Sequence, residues 1–324
     1  MAVIDSFGRR VSYLRLSVTD RCNFRCRYCM PAGGVAKLTP NDILRFEDLF
    51  RIAREAVSLG VEKIRITGGE PLVRKGTVEF LAQLSQIDGL KELTLTTNGS
   101  LLATTAAQLR CAGVARLNVS LDSLRPQTFA TITRGGDLYA VLDGIRAAED
   151  AGLLPIKINT VVMRSINDDE VLDFAELTFR KPYSVRFIEV MPTGPQTDWR
   201  NRFVSGREIL NVLASRYTVT ALPRAPAAAA KTFQLKGALG TVGVIAAVSD
   251  HFCEGCNRIR VTATGIAKAC LFAKEGMDLK PYLLAGDAEL RSALQSLVWE
   301  KPLQHPPLQC IAAADSFAMA QIGG

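Results

Sequence analysis

Residues 13–31 read YLRLSVTDRCNFRCRYCMP. The first residues alternate apolar and polar side chains, the period of a strand with one face buried, and a strand is expected over Tyr13 to Val18. The chain then enters a loop that carries Cys22, Cys26 and Cys29. A strand that runs straight into a polar, cysteine-rich loop has the form of a βα unit whose chemistry sits at the C-terminal end of the strand.

Outward from this stretch the same pattern recurs. Strands are expected at Lys63 to Thr67, Glu92 to Thr97, Arg116 to Ser120, Ile156 to Val162 and Ser184 to Val190. Amphipathic helical stretches lie between them, including Phe46 to Leu59 closed by Gly60 and Tyr139 to Ala151 closed by Gly152. Six βα units are too few for a closed eight-stranded barrel. The expected fold class is therefore α/β, an incomplete, three-quarter (β/α)6 TIM-type barrel over residues 1–192. After Pro192 the pattern changes to a helix near Ser205 to Ser215 and short strands, so a smaller C-terminal α+β subdomain is expected over residues 193–324. The Ala/Pro-rich run Pro223 to Ala230 is expected to be a mobile surface loop. TGGEP at 67–71, TTNG at 96–99 and SLDS at 120–123 each follow a strand, where small and polar residues suit a site as well as a plain turn.

The chain of 324 residues can hold one large α/β unit with an appendage, since single cores stop growing at roughly 250 to 300 residues. No segment approaches the roughly 20 apolar residues of a bilayer span. Met1 to Arg10 holds Asp5, Arg9 and Arg10 without an apolar h-region, so a soluble, cytoplasmic protein with no membrane partner is expected. The formal charge of +7 suits an anionic ligand or a nucleic acid. In RIARE and GIRAAED, however, basic residues interleave with acids as on a solvated helix face, and no nucleic-acid partner is expected.

Six of the eight cysteines fall into two trios. In a reducing compartment clustered thiols more often bind metal than form disulfides. Cys111 and Cys310 stand alone and are expected to be ordinary buried thiols. Cys22, Cys26 and Cys29 have C-x3-C-x2-C spacing. A [4Fe-4S] cube held by three cysteines leaves one iron open, whereas a structural zinc site takes four protein ligands and neither histidine of the chain is near. Cys253, Cys256 and Cys270, in CEGCNRIRVTATGIAKAC, form a second trio. His251 is available there as a fourth ligand, so zinc and iron–sulfur both stay open at this position. Arg258 and Arg260 alternate on what reads as one strand, and two guanidinium forks on one face suit a polyphosphate. Arg15, on the first strand, faces the same way. The competing reading is an exposed edge strand decorated with charge.

C-x3-C-x2-C with an aromatic residue, Tyr28, before the third cysteine resembles the signature of the radical S-adenosylmethionine (SAM) superfamily. GGEPL at Gly68 to Leu72 resembles its second element, in which Gly68, Gly69 and Glu70 meet the methionine end of SAM. With CNRIRVTATG and the terminal Gly323-Gly324, the chain is similar over nearly its whole length to the GTP 3′,8-cyclase family of molybdenum cofactor biosynthesis. That resemblance implies two [4Fe-4S] clusters, on Cys22, Cys26 and Cys29 and on Cys253, Cys256 and Cys270, with SAM as cosubstrate. It implies GTP contacts from Arg15, Arg258 and Arg260, with Arg65, Thr96 and Lys157 adding to them. It implies a SAM site lined by Tyr28, Gly69, Ser120 and Met191, and a terminal Gly323 and Gly324 that enter the pocket. The implied reaction removes the ribose C3′ hydrogen of GTP with a 5′-deoxyadenosyl radical, closes C3′ onto C8 of guanine and gives 3′,8-cyclo-7,8-dihydro-GTP. An external one-electron donor and a downstream cyclic pyranopterin monophosphate synthase are the implied partners, and a homodimer is compatible with the sequence. The departures are a slightly short chain and the alanine-rich run.

Two rival readings remain on the sequence alone. A peptide-modifying radical SAM enzyme also carries auxiliary clusters after the barrel. A zinc-binding nucleic-acid module would use the basic charge.

Overall fold

The computed structural model describes residues 3–35, 38–39, 41–192, 198–225, 227–305 and 319–322. The expected βα alternation is present: β1 Tyr13–Ser17, α1 Phe46–Ser58, β2 Lys63–Thr67, α2 Thr77–Leu84, β3 Glu92–Thr97, α3 Leu102–Cys111 and β4 Arg116–Ser120. It continues through α4 Pro126–Thr133, α5 Leu138–Asp150, β5 Lys157–Val162, α6 Val171–Arg180 and β6 Ser184–Glu189. Expected and observed limits differ by a residue at the ends, where the last turn or pair of an element frays.

The remainder contributes α7 Gly206–Ala214, β7 Val219–Ala221, β8 Lys231–Leu235, β9 Thr241–Ile245, β10 Arg258–Val261, β11 Ile266–Lys268, β12 Met277–Asp278, α8 Lys280–Ala285 and α9 Asp287–Trp299. Helix α7 opens on a capping box, in which Ser205 and Glu208 satisfy each other's backbone N–H groups.

Among the described residues, twelve strands join one sheet in the order β12-β11-β10-β1-β2-β3-β4-β5-β6-β9-β8-β7. β10 pairs parallel with β1, and β9 pairs parallel with β6. Eight parallel strands therefore stand side by side, and the sheet passes residue 192 without a break. Its two ends are antiparallel, β11 and β12 on one side and β8 and β7 on the other.

The strands are not uniformly apolar, as in a parallel sheet buried on both faces. They alternate. Leu14, Leu16, Ile64, Ile66, Leu117, Val119, Val185, Phe187, Ile259 and Val261 are buried in one core beneath the helices. Their neighbours Tyr13, Arg15, Lys63, Arg65, Arg116, Asn118, Lys157, Asn159, Arg186, Arg258 and Arg260 line a cavity on the other face. This period-two split places a polar surface inside the curve of the sheet and makes that surface the site. Among the described residues no helix is long and apolar enough to cross a membrane. Cys111, expected to be buried, is exposed at the C-terminal end of α3, and Cys310 lies outside the described residues.

Candidate active site

The cavity encloses about 700 Å³, and both cysteine trios line it. Among the described residues, eight Lys and Arg side chains at its floor (Arg15, Lys63, Arg65, Arg116, Lys157, Arg186, Arg258 and Arg260) face a lining in which Asp122 is the one carboxylate. Tyr13 shares the floor, with the Lys63 and Arg65 cations 5.1 Å and 5.6 Å from its ring centre. Glu92 is paired with Lys63 at 2.9 Å and with Arg116 at the edge of this bed. Burial, joined by repulsion from Arg186, Arg116, Lys63 and Arg65, brings the Lys157 ammonium down to about 6. Burial and Arg65 bring Arg186 down to about 10. Oγ1 of Thr96, Oδ1 of Asn118, Oδ1 of Asn159 and Nε of Arg258 are buried on this wall without a hydrogen-bond partner among the described residues. Buried polar atoms are rarely left unpaired, so these donors and acceptors mark a ligand surface. Positive charge at this density, facing a cavity, selects a polyanion.

The first trio sits where β1 gives way to its loop, and the TGGEP segment holds that loop in place. Gly69 N–H donates to the Thr19 carbonyl at 2.8 Å and Glu70 N–H to the Arg21 carbonyl at 2.8 Å. The two segments touch so closely that a Cβ on Gly68 would stand 2.4 Å from Thr19 O, and one on Gly69 2.4 Å from Arg21 O. Only glycine fits at either place. Glu70 is fully buried behind the wall and does not line the cavity. Its carboxylate accepts from Leu72 N–H at 3.1 Å, Thr97 Oγ1 at 2.9 Å and Asn98 N–H at 2.6 Å, fastening the loop after β2 to the loop after β3. Burial raises its pKa to about 7 against those donors. The Tyr28 hydroxyl donates to Asp122 Oδ2 at 2.9 Å, which ties the cysteine loop to SLDS after β4. Burial raises Cys22 to about 11 and Cys29 to about 12. Met319 N–H donates to the Cys29 carbonyl at 3.2 Å, so the short helix Met319–Ile322 lies against this loop.

The second trio flanks β10. Cys256 N–H donates to the Cys253 carbonyl at 3.0 Å, forming a tight turn. Burial acts to raise the Cys256 thiol, but Lys301 and Arg258 outweigh it and the thiol is lowered. His251 lines the cavity with its ring edge-on to His305 at 5.2 Å. Among the described residues no three His, Cys, Asp or Glu side chains converge as for a single metal ion. A cubane, whose thiolates each take a different iron, does not need its three sulfurs to converge on one point, and each trio presents three free thiols to the cavity.

The cavity thus gathers Arg15, Tyr28, Arg65, Gly68, Gly69, Thr96, Ser120, Lys157, Met191, Arg258, Arg260 and all six cysteines of the two trios. Gly323 and Gly324 lie outside the described residues, although Met319 and Ala320 before them line the cavity. The described residues of the run Pro223 to Ala230 form no helix or strand, and Pro223, Arg224 and Ala225 are exposed, as a surface loop requires; Ala227–Ala229 are half-buried and Ala230 is buried, Pro223, Ala225 and Ala227–Ala230 line the cavity, and Arg258 Nη2 donates to the Ala227 carbonyl at 3.4 Å. Lys63, Arg116 and Arg186 were missed, though each occupies the same inward phase of its strand as an arginine that was found. Reading cations by strand phase rather than by motif recovers them.

Residues 16–178 match the family model described as the radical SAM superfamily, and residues 183–307 match the model described as Molybdenum Cofactor Synthesis C. The fold is shared with a crystal structure of Streptococcus suis SuiB bound to S-adenosylmethionine, at TM-score 0.63 and 12% identity over 95% of this chain and 67% of that one. The chain is therefore a radical SAM enzyme. It is 58% identical over the full length of both chains to the GTP 3′,8-cyclase of Geobacter sulfurreducens, and 43% identical over 99% of each to that of Alkaliphilus oremlandii. It belongs to the GTP 3′,8-cyclase family, a radical SAM family whose cofactors are SAM and two [4Fe-4S] clusters. The match end to end with the first of these relatives removes the expected shortfall in length, and membership of this family sets aside both the peptide-modifying and the zinc readings.

Proposed function

We propose that this one cavity holds GTP and SAM together, converting GTP to 3′,8-cyclo-7,8-dihydro-GTP, with each chain segment in a definite role. The observation that carries the reading is the opening of both cysteine trios onto a single cavity floored by eight cationic side chains. Arg15, Arg65, Lys157, Arg258 and Arg260, with the Thr96 hydroxyl, bind the triphosphate, and Lys63, Arg116 and Arg186 extend the same bed. Cys22, Cys26 and Cys29 hold the cluster that takes SAM, which lies along Tyr28, Gly68, Gly69, Ser120 and Met191. Cys253, Cys256 and Cys270 hold the second cluster at the guanine end.

When bound, the first cluster supplies the electron that breaks the sulfonium bond of SAM. The chain's own work is placement. The cation bed fixes the phosphates, the two trios fix the opposite ends of the reactants, and the ribose is left between them. The alanine wall and Phe252 exclude water from that space, as a radical reaction demands. Glu70 acts from behind, keeping the loops after β2 and β3 in register.

The eight parallel strands support the reading of an incomplete barrel, with residues 1–192 as its main part and residues 193–324 closing its open side with the second cluster. An external one-electron donor, a cytoplasmic setting, a downstream cyclic pyranopterin monophosphate synthase and a homodimer belong to the same reading. Anaerobic iron and sulfide quantitation with a GTP turnover assay tests it. Arg258→Ala with Arg260→Ala should abolish GTP binding while both clusters assemble; unchanged GTP affinity in that double variant refutes the phosphate assignment.

A further inference from the structure

Two cations that line no part of the nucleotide bed converge on the second cysteine trio from behind. Lys301 is 2% exposed, and a lysine is almost never buried so deeply without partners. Its Nζ donates to the Arg258 carbonyl at 2.8 Å and to the Ala269 carbonyl at 2.5 Å, and its charge lies close enough to the Cys256 thiol to act on it. Two carbonyl oxygens with the thiol beside them line the niche with acceptors, the surroundings a buried cation needs. The groups around the ammonium are thus Cys256 itself, the residue before Cys270, and the arginine two residues after Cys256.

Arg9 secures the segment that carries this lysine. Its guanidinium donates to the carbonyls of Cys253 at 2.8 Å, Pro302 at 2.7 Å, Leu303 at 2.9 Å and Lys301 at 3.4 Å, and Asp5 holds its Nε at 2.6 Å. Lys301 and the three cysteines are thereby fixed in one frame.

We infer that Lys301 is a positioning residue of the second cluster, fixing the Cys256 and Cys270 ligands and the backbone of Arg258 while its charge on the Cys256 sulfur favours the reduced cluster. Each electron taken up adds negative charge to a cluster, and an N–H donor or a cation at a ligand sulfur makes that addition easier. The carboxyls of Asp122 and Glu70 stand near the first trio instead. Lys301 therefore biases an electron entering the site toward the second trio, the end at which the proposed reaction meets the base.

The inference rests on the second trio holding a [4Fe-4S] cluster, and the iron and sulfide content of the unaltered protein tests that premise by itself. An EPR-monitored redox titration of the anaerobically reconstituted full-length protein tests the rest. Lys301→Met should shift the second cluster to more negative potential, lowering its reduced-to-oxidised ratio about tenfold, or about 59 mV for one electron, with the first cluster unmoved. Lys301→Arg, which keeps the charge, should recover most of the shift. A second-cluster potential unchanged in the Met variant, or an equal shift of both clusters, overturns the inference. Should Lys301→Met fail to keep the second cluster, Lys301→Gln, which retains a donor and drops the charge, is titrated in its place and the same two results decide.

Discussion

Arg15 on β1 and Arg260 on β10 are register partners in adjacent parallel strands, although they come from opposite ends of the sequence. Both point into the cavity, where Arg260 is 7% exposed. Burial, then the neighbouring Arg260, holds Arg15 well below the ordinary guanidinium range; burial, then Arg258, brings Arg260 to about 10. Two unit charges about 5 Å apart repel by about 3 kcal/mol at an effective dielectric of about 20. A phosphate between them turns that repulsion into two attractions, so the pair is placed for a ligand at some expense to the empty fold.

Replacing either member should separate binding from stability. Arg15→Leu or Arg260→Leu is expected to raise the Kd for GTP at least tenfold while thermal unfolding of the nucleotide-free protein occurs at an equal or higher temperature. Calorimetry of both processes checks this. A clear fall in Tm for both variants would assign the arginines to the fold instead.

Gly69→Ala should act on the first cysteine loop alone. The new Cβ would stand 2.4 Å from Arg21 O and 2.8 Å from Asp20 O, both backbone atoms that cannot turn aside. The loop between Thr19 and Cys22 must move, and with it the geometry of the first trio. The expected outcome is loss of about half the iron and of reductive SAM cleavage, with the signals of the second cluster retained. A variant with full iron content and full SAM cleavage would show that the contact is relieved without moving the cysteines.

The βα order and the first trio could be read from the sequence because both are local: a strand's period, a glycine stop and a C-x3-C-x2-C spacing lie within a few residues of one another. Arg258 and Arg260 could be placed on one face for the same reason. What could not be read was which strands lie together. The parallel pairings β1 with β10 and β6 with β9 join distant segments and leave no local mark, so the run of eight parallel strands was hidden. Lys63, Arg116 and Arg186 were hidden with it, because a cation on a strand looks solvated until the curve of the sheet encloses it. The alanine run could be read as a loop from composition, but not as a cavity lining, because that depends on the distant Arg258, which donates to the Ala227 carbonyl.

Removing one ligand from each trio should dissociate the two halves of the chemistry. Cys253→Ser is expected to halve iron and sulfide and abolish cyclised product, while deoxyadenosine still forms from SAM under strong chemical reduction. Cys22→Ser should abolish deoxyadenosine formation and leave GTP bound, since the cation bed does not depend on the first loop. Colorimetric iron and sulfide assays with product chromatography check both. Equal loss of GTP binding in the two variants would mean that the trios do not serve separate ligands.

Lys157 gives the site a proton signature. Burial and the cations Arg186, Arg116, Lys63 and Arg65 bring its pKa from 10.5 to about 6, so without nucleotide it is mostly neutral above pH 7. Its folded pKa is depressed, so its contribution to stability is present above pH 10.5 and is lost as pH falls from there through about 6. A triphosphate beside the amine reverses the balance and restores the proton. GTP binding should therefore take up a proton between pH 7 and 9, and affinity should fall as pH rises through that window. Titration calorimetry in two buffers of different ionisation enthalpy reads the uptake directly, and Lys157→Met should remove it while weakening binding about tenfold. Identical heats in both buffers for the unaltered protein would mean that Lys157 keeps its proton in the empty cavity, and that the neighbouring arginines do not raise the local potential as far as their crowding on one sheet face requires.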